Sequence, residues 1–559
     1  MQWFRKYARR LCALHVLFLA LMGLSLFVPV KASWAGDPTG SKTGTSSDAM
    51  DSSGSPFVPP APPADPNDPT YADKKKAYDA YQQQGKSEPL AVQLSNSVGQ
   101  NRIAINIVWT LITGYLVMFM QAGFALVETG FCRAKNAAHV MMTNFMIYPI
   151  GMLGFWICGF AFMFGGMAAA GAPGSLGGVA PCNVPDWHGI IGTHGFFLKA
   201  DFYDVGVYTL FLFQMVFMDT TATIPTGAMA ERWKFSAFVV YGFFVSMVIY
   251  PIYGHWVWGG GWLAMLGANH GLGHGAVDFA GSGVVHSIGG WTALAGAIVL
   301  GPRIGKFING RPQPIPGHNI PLALLGTFIL AFGWFGFNPG STLGASGGGN
   351  LRIAVIATNT MLAGSAGAMI TLLYWWKRYG SPDPSMCANG MLAGLVAITA
   401  PCAFVDSLGA VAIGAIAGIL VSVAVPIVEK FGVDDPVGAV SVHGVNGVWG
   451  ILAVGIFADG KYGQGWNTVG ASTYMNVAGR GVSGLIVGDT GQFLAQVIDA
   501  VVSISWAFVL AWVFFTIQKK TMGIRSNPEH EVAGLDLPEM GALAYPDQVF
   551  VDDLPNIRR

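Results

Sequence analysis

The sequence predicts an all-α polytopic membrane protein: eleven transmembrane helices, built as a five-plus-five inverted repeat with one further C-terminal helix. Three observations carry that prediction. Only 60 of the 559 residues are charged, 30 basic and 30 acidic, and just 30 of these fall in the 418 residues 101–518. A typical soluble domain is about 25% charged, so this stretch lacks the charge to cover a water-facing surface and suits lipid instead. The second observation is a series of eleven apolar segments, and the third is one motif that occurs twice, five segments apart. The 76 glycines and 31 prolines sit among long apolar runs, where small residues let membrane helices approach closely. A soluble enzyme is excluded, and the zero formal net charge gives no electrostatic footprint for a nucleic-acid partner.

From the N-terminus, residues 1–35 read as a secretory signal. Arg5, Lys6, Arg9 and Arg10 precede an apolar run from Leu11 to Val30, and Ser33-Trp34-Ala35 supplies a small-residue cleavage site. The run is long for a signal peptide, so an uncleaved anchor is the alternative. Residues 36–100 form an external extension. Its first part, 36–69, is Ser, Gly, Pro, Asp and Thr and cannot bury a core, so it is expected to be a disordered linker. A short polar helix is expected over Thr70–Gln84.

The membrane domain, 101–520, contains segments near 103–127, 139–165, 203–229, 235–258, 278–300, 319–337, 351–375, 388–405, 406–428, 437–457 and 493–518. All are long enough, or nearly so, to cross about 30 Å of hydrocarbon; the eighth and ninth are short. With the first segment entering from outside, thirteen Lys and Arg residues fall on inner connections and five on outer ones. The positive-inside rule then places the N-terminus outside and the C-terminus, with its tail 521–559, in the cytoplasm. The expected location is the plasma (inner) membrane. The six cysteines are scattered, with Cys182 in an external loop, and suggest neither a disulfide framework nor a metal site.

The fifth segment opens Asp278-Phe-Ala-Gly281-Ser-Gly-Val-Val285-His286-Ser-Ile-Gly-Gly290, and the tenth opens Asp435-Pro-Val-Gly438-Ala-Val-Ser-Val442-His443-Gly-Val-Asn-Gly447. Both fit D-x2-G-x3-V-H-x3-G without a gap. Being an odd number of segments apart, they cross the membrane in opposite directions, the sign of an inverted-topology repeat. Each histidine lies eight residues past its aspartate, about 12 Å along a helix, so His286 and His443 approach the midplane from opposite faces. A single such histidine is ordinarily a hydrogen-bonded structural residue. Two symmetric ones at bilayer depth, where ionisable groups are costly, point to a polar path, and one imidazole could donate to the other. Asp278 also suits a helix N-cap. Asp434 and Asp435 suit inner capping and tail docking. His270 and His274 have helical metal-ligand spacing, but the glycines around them argue against a rigid site, and no metal is expected.

These motifs resemble the ammonium transporter family, in its Amt branch and bacterial form. So do QAGFALVETG (121–130), GAMAERWKFSA (227–237), HWVWGGGWL (255–263), WFGFNPGS (334–341), NGMLAGLVAITAPC (389–402) and GLDLPEMGALAY (534–545), which run in family order across nearly all of the mature chain. The resemblance implies a homotrimer of eleven-helix subunits, each with its own pore for ammonium or ammonia. By position, Trp258, Phe217 and Ser341 match an outer recruitment site, with Phe213 beside it and Asp278 as its buried acid. Phe217 and Phe337 match a pair of gating phenyl rings, and His286 and His443 match twin pore histidines.

Elementary chemistry agrees with that assignment. Ammonium is close to potassium in size, so a sieve alone would not separate them. Aromatic faces attract either cation, by roughly 2 kcal/mol or more when desolvated, but a Ser hydroxyl gives ammonium a directional acceptor. An apolar lumen then charges an intact cation several kcal/mol. Ammonium can shed a proton and cross as NH3, whereas potassium cannot.

Met540 stands where the family's tail commonly has His, and no nearby Ser or Thr could be phosphorylated. The inner loops could accept a PII-type signalling protein. A non-conducting ammonium sensor is the rival reading; such proteins carry an appended signalling domain, and the 41 residues after Gln518 are too few for a kinase or cyclase. An enzyme using His286 and His443 as b-type haem ligands is disfavoured by the single pair, so neither enzyme activity nor a cofactor is expected.

Overall fold

A computed structural model describes residues 63, 66–68, 70–165, 189–199, 205–346, 350–469 and 481–546. The expected signal peptide, most of the linker 36–69, Cys182 and most of the outer loop 169–202 lie outside the described residues.

The expected short helix is present as α1, Tyr71–Ser87. The membrane helices follow as α2 Pro89–Phe131, α3 Ala134–Phe164, α4 Val205–Ala228, α5 Phe235–Val257, α6 Ser282–Leu300, α7 Ile320–Thr342, α8 Ile353–Tyr379, α9 Pro384–Ile398, α10 Ser407–Lys430, α11 Val440–Phe457 and α12 Thr490–Thr521. Ten of these are long and apolar enough to span a bilayer, and α9 is the shorter eleventh. A two-residue hairpin, Phe307–Ile308 with Arg311–Pro312, lies between α6 and α7.

Three boundaries differ from the sequence reading. Helix α2 starts at Pro89, well before the apolar run at Ile103. Proline suits a first helical turn, and the turns after it leave Leu90, Leu94 and Val98 exposed rather than buried in a core. Helix α10 is full length, because Asp406 caps it by accepting from the Gly409 amide at 2.8 Å; only α9 is short. The fifth and tenth segments begin with coil, so α6 and α11 start four or five residues after their aspartates.

That coil explains the repeated motif. Asp278 accepts four backbone amides: Gly281 at 2.7 Å and Ser282 at 3.0 Å on Oδ1, Gly283 at 2.8 Å and Val284 at 2.9 Å on Oδ2. Asp435 does the same on a smaller scale, accepting from Gly438 at 3.0 Å and Val440 at 2.8 Å. The glycine three residues on has positive φ in both copies, 114° at Gly281 and 78° at Gly438, a region open to glycine at no steric cost. The last motif glycines let the two helices touch. A Cβ on Gly290 would lie 2.0 Å from the Gly444 nitrogen, and one on Gly447 would lie 2.6 Å from the Ser287 nitrogen.

Each half begins with a helix that packs on its counterpart, α2 against α7, and α12 packs on both α6 and α11. Helices α4 and α6 are the most buried of the spans, whereas α2, α8, α10 and α12 expose much of their apolar surface.

At the end where α6 finishes, charged groups cluster. Arg303 donates to Asp434 at 2.9 Å from both Nε and Nη2 and pairs with Glu231 at 3.1 Å. Burial alone would raise the Asp434 carboxyl, but Arg232 and Arg303 hold it below the usual carboxylate range. Asp434 therefore binds arginines rather than the tail. Tail docking falls to Asp536, which accepts from the His139 amide at 2.9 Å, and to Glu539, which accepts from the Phe235 amide at 2.9 Å.

Candidate functional site

The two histidines of the repeat meet in the buried interior. His286 sits in a π-helical turn, Ser282–Ser287, and His443 in another, Val440–Val445. Such turns are rare and concentrate at functional sites. Their Nδ1 atoms lie 3.1 Å apart, so one ring donates and the other accepts. The rings are near parallel, with centroids 5.2 Å apart. His286 Nε2 is buried without a protein hydrogen-bond partner. A line of two imidazoles thus offers a donor or acceptor at its free end and is otherwise walled by apolar rings: Trp334 and Phe337, each 5.4 Å from His286, and Phe124, 6.0 Å from His443.

Beyond His286 lie the aromatic residues singled out from the sequence. Phe217, on α4, stacks on Phe337, on α7, with centroids 4.1 Å apart, and both are fully buried. Phe213 is one turn away, 4.7 Å from Phe217. Trp258 follows the last turn of α5, 6.0 Å from Phe217, and its indole N–H donates to the Asp278 carbonyl at 2.6 Å. The Asp278 carboxylate itself is spent on the α6 amides, so its contribution to this end is orientation of Trp258 through its main chain and of His286 through the turn. Ser341 is half-buried and donates to the Phe337 carbonyl at 2.8 Å. With its proton committed, its oxygen presents only lone pairs, which suits a ligand carrying N–H groups.

Ring contacts thus run from Trp258 through Phe217, with Phe213 beside it, to Phe337, His286 and His443, while Ser341 touches this series at the Phe337 carbonyl and Asp278 at Trp258. His270 is exposed while His274 is buried, and among the described residues no group of three His, Cys, Asp or Glu side chains could hold a metal.

Four further residues at or near these contacts are not singled out by the sequence. Trp334 and Phe124 are ordinary apolar residues at helical spacing, and nothing in their pattern distinguishes them from core. Glu128 and Asp499 did carry a signal, because an acid at bilayer depth is costly. Glu128 borders a small cavity with His443, Asn389 and Val437. It accepts from Asn144 at 2.6 Å and from Thr226 at 2.8 Å. Asp499, on α12, accepts from the Tyr253 hydroxyl at 2.5 Å.

A family model described as the Ammonium Transporter Family matches residues 108–545. The chain is 50% identical over 457 residues to the ammonium transporter Amt2 of Archaeoglobus fulgidus, covering 81% of this chain and 91% of that one. It is 36% identical over 458 residues to ammonium transporter 1 member 3 of Solanum lycopersicum, covering 79% and 93%. Among solved structures, one titled Sensor Amt Protein superimposes with a TM-score of 0.66 at 38% identity, covering 78% of this chain and 98% of that one. Mep2 of Candida albicans does so with a TM-score of 0.64 at 25% identity, covering 81% and 92%.

Proposed function

The chain belongs to the ammonium transporter family, a family of membrane transporters rather than enzymes, and from that premise we propose how it moves its substrate. NH4+ is recruited at the Trp258 end, between the faces of Trp258 and Phe217 and the Ser341 oxygen, with Phe213 behind. Cation–π attraction supplies roughly 2 kcal/mol or more in a desolvated site, and the Ser341 lone pairs favour N–H donors over potassium. Asp278 fixes the geometry of this site. The Phe217 and Phe337 rings close the path to hydrated ions and move apart to admit the substrate. Past them NH4+ yields its proton, because an intact ion would meet a Born cost of several kcal/mol that neutral NH3 escapes. His286 and His443 then hydrogen-bond NH3 in turn, and NH3 is reprotonated at the far end.

The observation that carries this reading is the pair of imidazoles joined Nδ1 to Nδ1 at 3.1 Å behind two stacked phenyl rings. Such a lumen serves a species that hydrogen-bonds and is uncharged. The Trp258 end faces outward and the Arg303 end faces the cytoplasm, consistent with the bias of basic residues. The domain layout follows: signal peptide 1–35, external extension 36–100, membrane domain 101–520 and cytoplasmic tail 521–559. The protein resides in the plasma membrane as a homotrimer, where the exposed apolar flanks find lipid and neighbouring subunits, and its inner loops offer a face to a PII-type regulator.

The experiment is an ammonium jump on proteoliposomes holding the purified protein, followed by a luminal pH dye. Transport predicts a pH change faster than in empty liposomes. The likeness to a structure titled Sensor Amt Protein favours a second reading, binding without conduction; saturable ammonium binding with no pH change beyond that of empty liposomes would establish it instead.

A further inference from the structure

Residues 274–277, the coil that leads into Asp278 and α6, are buried, and without helical hydrogen bonds each main-chain group there needs another partner. All eight have one. The Gly275 and Ala276 amides donate to the Leu272 and Leu263 carbonyls, each at 2.9 Å. Asn467, in the loop between α11 and α12, donates to the His274 carbonyl at 2.8 Å and to that of Ala276 at 2.9 Å. The other four groups go to two carboxamides on α12. Gln492 accepts from the His274 amide at 2.7 Å and donates to the Gly275 carbonyl at 2.9 Å. Gln496 accepts from the Val277 amide at 2.8 Å and donates to the Val277 carbonyl at 2.9 Å. The glutamines are one helical turn apart and fully buried, and Gln492 also donates to Gln496 Oε1 at 3.1 Å. Gln496 Nε2 reaches the Ile451 carbonyl on α11 as well, at 2.9 Å. A Cβ on Gly273 would lie 2.6 Å from Gln492 Oε1, so the coil is pressed directly onto this pair.

The residue after Val277 is Asp278, whose carbonyl accepts the Trp258 indole N–H at 2.6 Å. The second copy of the motif has a different support: Arg232 donates to the Asp434 carbonyl at 2.6 Å, and Arg303 donates to the Asp434 carboxylate. The glutamine clamp therefore serves the copy that carries Trp258 and not its repeat partner. We propose that Gln496, with Gln492 behind it, is a positioning residue of the recruitment site. By holding both main-chain groups of Val277 it sets where the Asp278 carbonyl lies, and through that carbonyl the tilt of the Trp258 ring over the cation. The inference rests on the transport reading above. Helix α12 stands outside the repeat and supplies none of the recruitment residues, yet through this contact it governs how tightly ammonium binds. Binding, rather than passage beyond Phe337, is the quantity Gln496 controls.

The test measures the initial pH change in proteoliposomes over a series of ammonium concentrations, for the full chain, Gln496→Leu, Trp258→Phe and the two combined. For Gln496→Leu the expected result is an apparent KM raised about two- to tenfold, the worth of one neutral hydrogen bond, with the maximal rate unchanged. In the Trp258→Phe background there is no indole N–H to orient, so the same substitution should raise KM no further, as expected of two residues that act as one unit. Asn467→Gly frees the same coil from the loop side, and glycine accepts the φ of 50° found at Asn467. It should raise KM in the same way, again only where the indole is present, and it decides the matter if thermal melting shows Gln496→Leu to be unfolded. An unchanged KM in a folded variant, a fall in maximal rate without a KM rise, or an equal KM rise with and without the indole would each overturn the proposal and leave the transport reading intact. An unmodified protein that gives no pH change beyond that of empty liposomes overturns both.

Discussion

Asp278→Asn separates two roles that one carboxylate could play. Four amides converge on it, two per oxygen, at 2.7 and 3.0 Å on one and 2.8 and 2.9 Å on the other. Asparagine keeps one acceptor oxygen and replaces the other with an NH2 donor. Whichever way the amide turns, two backbone N–H groups face another donor. A hydrogen bond to a charged group contributes about 1.5–3 kcal/mol, so losing two weakens the turn by about 3–6 kcal/mol. At about 1.4 kcal/mol per factor of ten, the ordered form of Ser282–Ser287 becomes at least a hundredfold less favoured. His286 is part of that turn, so its contact with His443 loosens with it. The assay pairs the ammonium-jump pH change with thermal melting of the detergent-solubilised protein, and both should fall. Lost transport with an unchanged melt would refute the cap argument and make Asp278 a charge on the recruitment site alone. Wild-type behaviour in both would refute either role.

Other consequences follow from single contacts. Gly290→Ala places a methyl group 2.0 Å from the Gly444 backbone nitrogen, where no flexible side chain can yield; overpacking of this kind costs about 1–3 kcal/mol or more, and the melt should drop with transport. Phe337→Ala removes half of the stacked pair and one wall of His286, so potassium or water leak through the purified protein should rise in a liposome flux assay, at a stability cost of about 3–5 kcal/mol. Asp434→Asn removes one of the two carboxylates paired with Arg303 and leaves Glu231, so the loss lies at or below the about 3–5 kcal/mol of breaking an isolated buried pair. Because the folded protein holds the Asp434 carboxyl below its ordinary range, its stabilisation is present above the unfolded value near pH 4 and is lost as pH falls through the depressed folded value. The unmodified protein should therefore lose melting temperature on acidification in that window, and Asp434→Asn should show a flatter dependence.

Much of the fold was legible because a bilayer constrains sequence strongly. Apolar runs of span length define helices without reference to tertiary contacts, and the paired D-x2-G-x3-V-H-x3-G identified the repeat and its two central residues. The helix starts at α6 and α11 were not legible. A motif aspartate suits an N-cap in general, but here it reaches past a left-handed glycine to amides three to six residues on, and only the folded turn shows that. The π-turns under His286 and His443 were hidden for the same reason, since they change hydrogen bonding without changing the apolar pattern. Trp334 and Phe124 wall the histidines yet look like any core residue. Asp499 and Tyr253 are distant in sequence and on helices of different origin, so nothing local linked them.

In the proposed mechanism the twin imidazoles pass neutral ammonia and refuse an ion that cannot give up a proton. The direct measurement is ammonium against potassium flux through proteoliposomes, before and after replacing both His286 and His443 with leucine. Selective ammonium flux is expected in the unmodified protein, and in the double variant either no flux or flux whose preference for ammonium over potassium has collapsed. A double variant that still carries ammonium with unchanged selectivity would contradict it.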